Sequence, residues 1–283
     1  MNLEDTTLDP RPHSGPRRRT ITFTSGKGGV GKSNLVLNTA LLLAQRGHRV
    51  AVLDGDLGLA NVTVLLGCAP KLDLRDVLSG EKRLAEIILR GPHGVLVIPA
   101  GSGVAELAHL DDGERAALLG QLQEVEEAVE FLLIDTGAGI GETVLNLILA
   151  ADESVVVTLP EPTALADAYA LMKTVVQHCP AYPFHVLVNM VRDSAQAEQV
   201  HRSLSEILVR FLGYRPGDAG FVVMDASVGQ GVVRQVPFTL LAPRSQASRC
   251  LETLVGRLLG QPDAARSGRT FWERVAGSTW RRP

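Results

Sequence analysis

Gly26-Lys27-Gly28-Gly29-Val30-Gly31-Lys32-Ser33, with Asn34 after it, is the most informative segment of the 283-residue chain. It satisfies G-x-x-x-x-G-K-[ST] at every required position, between a β-rich run at Thr20 to Thr24 and a helical pattern from Leu35 to Ala44. A strand feeding a glycine-rich loop that opens a helix makes a phosphate cradle. The glycines let backbone N–H groups turn onto an anion at the helix N-terminus, where the macrodipole favours negative charge. In this reading Lys32 reaches the β- and γ-phosphates and the Ser33 hydroxyl ligates Mg²⁺. The same residues also satisfy the dinucleotide pattern G-x-G-x-x-G through Gly26, Gly28 and Gly31, with the acidic Asp54 ending the next strand. Two features decide against an oxidoreductase of that kind. The pair Lys32-Ser33 has no task in a dinucleotide site, and a second apolar strand, Phe131-Leu132-Leu133-Ile134, ends in Asp135 as a Walker B strand should. A ligand-free turn is disfavoured because four glycines and two lysines in eight residues lower the stability of a helix start that holds no phosphate.

On either side of this segment, short β-rich runs alternate with helical periodicity. The strands are read at Thr20 to Thr24, Val50 to Leu53, Val95 to Ile98, Phe131 to Ile134, Ser154 to Leu159, Phe184 to Val188 and Phe221 to Val223. Helical spacing is read at Leu35 to Ala44, Arg115 to Val129, Ala164 to Val176 and Val200 to Leu212. This alternation predicts an α/β fold, a doubly wound, mostly parallel sheet with helices on both faces. Residues 1–19 lack apolar periodicity and an apolar signal region, so they are expected to be a flexible leader. A single phosphate-loop domain is expected over residues 20–262, and a composition break at Gln261 to Gly268 sets off a tail, residues 263–283.

Composition narrows the class further. With 28 Lys and Arg against 31 Asp and Glu, the formal net charge is −3, which argues against a basic, nucleic-acid-coating surface, so no direct nucleic-acid partner is expected. The apolar runs are far shorter than the ~20 residues that cross a bilayer. Cys68, Cys179 and Cys250 are widely spaced, which fits reduced thiols in a cytoplasmic protein. The seven histidines lack zinc spacing, and Gly101-Ser102-Gly103 lacks the spacing of a nucleophile elbow.

Lys27 stands at a position that the plain phosphate loop leaves free. A cation there can face a neighbouring subunit and contact its transferring phosphates, as an arginine finger does, or it can be a solvated lysine. The variant loop resembles that of the MinD/ParA class, a deviant Walker A group of SIMIBI-type P-loop NTPases. That likeness implies an ATP-sandwich homodimer with reciprocal lysines. The resemblance sharpens at Asp54-Gly55-Asp56-Leu57-Gly58-Leu59-Ala60-Asn61, at Asp135-Thr136-Gly137-Ala138-Gly139-Ile140, at Glu161-Pro162-Thr163, at Val188-Asn189-Met190 and at Val236-Pro237-Phe238. In these segments the chain is similar to the flagellar number and placement ATPases of the FlhG/FleN/YlxH type.

Asp54 and Asp56, two apart at a strand end, suit metal ordering and water activation respectively, and the resemblance implies that Asp56 polarises the attacking water. Asp135 ends a buried strand, where an unpaired charge is expensive, so it is expected to meet Mg²⁺-bound water or Ser33. Gly137 permits backbone approach to the γ-phosphate. The resemblance gives Asn189 the task of reading adenine, against a turn-initiating asparagine as the alternative. Asp225 is placed on the adenine side, although Val223-Met224-Asp225 lacks the proline that relatives carry there. The implied cofactors are ATP or ADP and Mg²⁺. The implied partners are a second copy of the chain and a flagellar signal-recognition-type GTPase, C-ring switch proteins or a flagellar master transcription activator. Residues 1–19 carry no Asp-Gln-Ala motif of the kind that stimulates that GTPase in some members.

The tail holds both tryptophans. On a helix, Trp272, Val275, Ala276 and Trp280 fall near one face with Phe271 beside it, and Arg266, Arg269, Arg274, Arg281 and Arg282 add positive charge. Such a helix suits an anionic membrane surface, so reversible peripheral contact with the inner face of the cytoplasmic membrane is expected. A helix docked on the body is the alternative. The sequence thus predicts a slow ATPase switch in flagellar number or placement. A positioning ATPase with another cargo and a nucleotide-gated adaptor with little turnover are the rival readings.

Overall fold

The computed structural model describes residues 18–56, 61–99, 112–260 and 269–277. Most of the leader, residues 57–60 of the acidic segment, the turn at 101–103, the break at 261–268, Arg266, Trp280, Arg281 and Arg282 lie outside the described residues.

Eight strands form one sheet in the order β3-β4-β2-β5-β1-β6-β7-β8. They are β1 (Arg19–Ser25), β2 (Val50–Gly55), β3 (Leu89–Arg90), β4 (Leu96–Pro99), β5 (Phe131–Ala138), β6 (Glu153–Thr158), β7 (Phe184–Val191) and β8 (Gly217–Val223). All ladders are parallel except the two-residue pairing of β3 with β4. The helices are α1 (Lys32–Gln45), α2 (Asn61–Leu65), α3 (Leu74–Leu78), α4 (Leu84–Ile87), α5 (Asp112–Ala128) and α6 (Glu142–Ala150). After them come α7 (Pro162–Val176), α8 (Ser194–Leu212), α9 (Ala226–Arg234), α10 (Phe238–Leu241), α11 (Gln246–Gly260) and α12 (Phe271–Gly277).

The period-2 geometry of a strand sends alternate side chains to opposite faces, and both faces are apolar here. Phe131 and Leu133 join a core with α1 and α11, while Leu132 and Ile134 join a second core with α5, α6 and α12. A third cluster extends that second face under α6, α7 and α8. The doubly wound expectation therefore holds. Chain connections leave β1 toward β2 on one side and cross from β5 to β6 on the other, which opens a crevice at the carboxyl end of β1.

Two boundaries differ from the sequence reading. Arg19, placed there in the leader, opens β1 and is buried, because Glu153 and the Leu258 carbonyl accept hydrogen bonds from its guanidinium. The tail differs more. Phe271 and Trp272, expected on a membrane-facing surface, are buried in the α5–α6 core at 0% and 1% exposure, with Val275 packed against it. The physical reason is a polar frame that fits this helix to the body. The Glu126 carboxylate accepts from the Phe271 N–H, the Arg274 guanidinium donates to the Ala150 carbonyl, and Arg274 pairs with partly buried Asp152 at 3.0 Å. The docked alternative is thus the form observed.

Candidate nucleotide site

The loop between β1 and α1 owes its shape to two glycines in particular. Gly31, the N-cap of α1, has φ 92°, and no side chain caps the helix there. The first N–H groups of α1 are therefore left for a ligand. At Gly26 a Cβ would lie 2.2 Å from the Asp167 carbonyl oxygen, so α7 packs directly on the loop's first residue. Lys32 is buried, yet among the described residues no carboxylate lies within ion-pair distance of it. A buried ammonium in that state needs an anion.

Beside it, sheet register sets Asp54 of β2 opposite Asp135 of β5. Both are buried, at 2% and 0% exposure. Burial, then the Asp135 charge, pushes the Asp54 carboxyl up to about 7. Burial pushes Asp135 up to about 6, partly offset by Ser33 and Lys32. Asp54 Oδ2 accepts from the Val62 N–H at 3.2 Å, whereas Asp54 Oδ1 and both oxygens of Asp135 have no hydrogen-bond partner among the described residues. Orphaned carboxylate oxygens next to a loop hydroxyl are a hard, oxygen-only donor set, which fits Mg²⁺. Among the described residues no group of three or more His, Cys, Asp or Glu could cage a metal.

A cavity of about 710 Å³ opens over the loop, with Lys32 and Ser33 in its wall. Its walls bring together Gly28, Gly29, Gly31, Lys32, Ser33, Asn34, Asp56, Asn189 and Asp225 from four separate stretches of sequence. Asp56 stands near Gly137, since a Cβ on that glycine would be 3.8 Å from its Oδ1. Asn189 is 6% exposed and donates from Nδ2 to the Val30 carbonyl at 2.8 Å. Asp225 caps α9, accepting from the Ser227 N–H at 2.9 Å and from the Ala247 N–H at 3.2 Å. The Ser227 N–H, first among its contacts, holds its carboxyl below the usual range. Asp225 thus shapes the wall as a fixed anion joining α9 to α11.

Lys27 does not line the cavity. Its ammonium pairs with Glu161 at 3.0 Å and approaches Thr163 Oγ1 at 3.5 Å, at the N-terminus of α7. Nothing in the sequence around Glu161 and Thr163 marks them as partners of this lysine. The sequence also gives no sign of the apolar wall of Val64, Met190, Met224, Val228 and Val232. The exposure of Met224 and Val64, at 72% and 51%, is visible only in three dimensions.

A family model described as an AAA domain matches residues 18–180. The chain is 38% identical to the antiactivator FleN of Pseudomonas aeruginosa, over 86% of this chain and 87% of FleN. It is 40% identical to the flagellum site-determining protein YlxH of Helicobacter pylori, over 54% of this chain and 52% of YlxH. Among solved structures, septum site-determining MinD complexed with Mg-ADP from Pyrococcus horikoshii gives a TM-score of 0.68 at 22% identity, over 85% of this chain and 96% of that one. At that identity the likeness speaks for the fold alone. Together, the variant phosphate loop, the paired strand-end carboxylates and the match to FleN over 86% of the chain place the chain among the MinD/ParA-class P-loop ATPases, as a member of the FlhG/FleN/YlxH type.

Proposed function

We propose that this protein is an ATP-driven dimerising switch that regulates flagellar number or placement. The observation that carries the proposal is the buried, unpaired Lys32 beside the orphaned oxygens of Asp54 and Asp135. Lys32 and Ser33 offset only part of the Asp135 burial, and a bound phosphate and cation would complete both sets of charges. In the loaded site the loop N–H groups and Lys32 bind the phosphates, Ser33 with Asp54 and Asp135 holds Mg²⁺, and Asp56 orients the attacking water and receives its proton. Bound Mg²⁺ supplies neutralisation of the charge that develops on the transferring phosphoryl group. Lys27 leaves Glu161 and crosses to the second copy, where it stabilises that copy's phosphates.

Similarity to an antiactivator and to a site-determining protein supports a flagellar role, and the former favours a transcription activator as partner. C-ring proteins and a signal-recognition-type GTPase remain partners within the same proposal. Peripheral contact with an anionic membrane belongs to it only for a state in which α12 has left the body, because the docked helix buries Phe271 and Trp272. No helix among the described residues is long and apolar enough to cross a membrane.

Light scattering with ADP and then with ATP-Mg²⁺ tests the switch on wild type, Asp56→Ala and Lys27→Ala. The expected result is an ATP-dependent dimer that Asp56→Ala traps and Lys27→Ala impairs. Monomers throughout, with ATP bound, overturn it in favour of a nucleotide-gated adaptor. Normal flagellar number and placement in a deletion strain overturn the flagellar assignment.

A further inference from the structure

Asn189 holds the phosphate loop through a single peptide group. Its Nδ2 donates to the Val30 carbonyl at 2.8 Å, and its Oδ1 accepts from the Met190 N–H at 2.9 Å. Because the oxygen is engaged on Met190, the amide has one orientation and the nitrogen must face the loop. Met190, which follows directly, has φ 56°, a left-handed conformation unusual for a side-chain-bearing residue. The amide nitrogen also occupies the space that the missing side chain of Gly31 leaves, 2.5 Å from where a Cβ would stand. Asn189 and Gly31 are therefore matched in shape as well as in hydrogen bonding.

The carbonyl of Val30 and the N–H of Gly31 belong to the same planar trans peptide, and they point in opposite directions. Val30 is buried, whereas Gly31 lines the cavity. Fixing the carbonyl on Asn189 consequently turns the Gly31 N–H away from β7. We infer that Asn189 is a positioning residue for the phosphate cradle: it locks the Val30–Gly31 peptide plane so that an N–H, not a carbonyl oxygen, faces the phosphates. The inference rests on the nucleotide reading of the loop and differs from base reading, since it acts on the phosphates whatever base is attached. Without the amide the peptide is free to rotate, and the rotated form presents an oxygen to the anion.

Calorimetric titration of the full chain with Mg-ADP, Mg-GDP and inorganic tripolyphosphate tests it on wild type, Asn189→Ala and Asn189→Asp. Asn189→Asp keeps the side-chain shape, so it guards against a variant that simply fails to fold. Losing one hydrogen bond of this kind is expected to weaken tripolyphosphate and ADP by the same factor, about tenfold in Asn189→Ala. Asn189→Asp should lose more, because a carboxylate repels the Val30 oxygen and drives the rotation. The ADP-to-GDP preference should be unchanged in both. Unaltered tripolyphosphate binding with a collapse of that preference overturns the inference and returns Asn189 to base reading. Unaltered binding of all three ligands overturns it as well. A wild-type chain that binds neither tripolyphosphate nor ADP refutes the nucleotide reading itself, an outcome distinct from the others.

Discussion

Phe271→Ala removes a ring that is 0% exposed at the start of α12, in edge contact with Trp272 at a centroid distance of 4.8 Å. Truncating a buried aromatic to alanine costs about 3–5 kcal/mol when the surroundings do not collapse. The rest of the docking comprises Trp272, itself buried, the partly buried Arg274–Asp152 pair and the Glu126 cap. A seven-residue helix has little stability of its own, so the loss falls on docking first: α12 leaves its groove before the sheet melts. The chain's two tryptophans are Trp272 and Trp280, so a Trp280→Phe background makes Trp272 the sole reporter. In that background, Phe271→Ala should shift tryptophan emission to the red without denaturant. It should also lower stability in urea by about 3 kcal/mol, with a smaller slope because less surface remains to be exposed. Unchanged emission together with a loss below about 1 kcal/mol would refute the docked tail as a stabilising element.

Other outcomes follow from the site and the sheet. Asp54 and Asp135 have carboxyls raised to about 7 and about 6. The folded state therefore binds protons more readily than the unfolded one, and metal-free stability should rise as pH falls from about 8 toward about 5. Asp54→Asn should remove most of that slope and stabilise the metal-free protein at pH 8 by about 2 kcal/mol, read by thermal melting. Glu161→Gln frees Lys27 from an exposed pair worth about 0.5 kcal/mol, so melting should barely move, while light scattering should show ATP-dependent dimers at about twofold lower concentration. Glu153 is held below the usual carboxylate range: burial opposes ionisation, but His185 and Arg19 outweigh it. Glu153→Ala leaves Arg19 buried without its carboxylate and should cost about 3 kcal/mol in urea at neutral pH. As pH falls through the folded pKa of Glu153 that difference should fade.

What was legible in the sequence was local. The loop from Gly26 to Ser33, the acid closing each of β2 and β5, and Asn189 near the end of β7 are all marked by neighbours within a few residues, and the structure brings them to one end of the sheet. The facing of Asp54 and Asp135 was not legible, because it depends on the register of β2 against β5, a non-local quantity. Lys27 and Glu161 are 134 positions apart, and nothing in either segment announces the other. The two residues of β3 are too few to show alternation. The tail shows a different limit. Aromatics with arginines at helical spacing serve a lipid surface and a protein groove equally well, and only the positions of Glu126, Ala150 and Asp152 distinguish them.

The contact between Gly26 and α7 has a consequence for engineering. The eight residues from Gly26 to Ser33 look like a portable cassette, yet their first residue is shaped by a helix more than a hundred positions away, whose backbone leaves no room for even a methyl group. Grafted after a strand in another scaffold, the cassette would lack the surface against which it is folded. Transplantation therefore calls for moving the loop and the first turns of α7 as one unit.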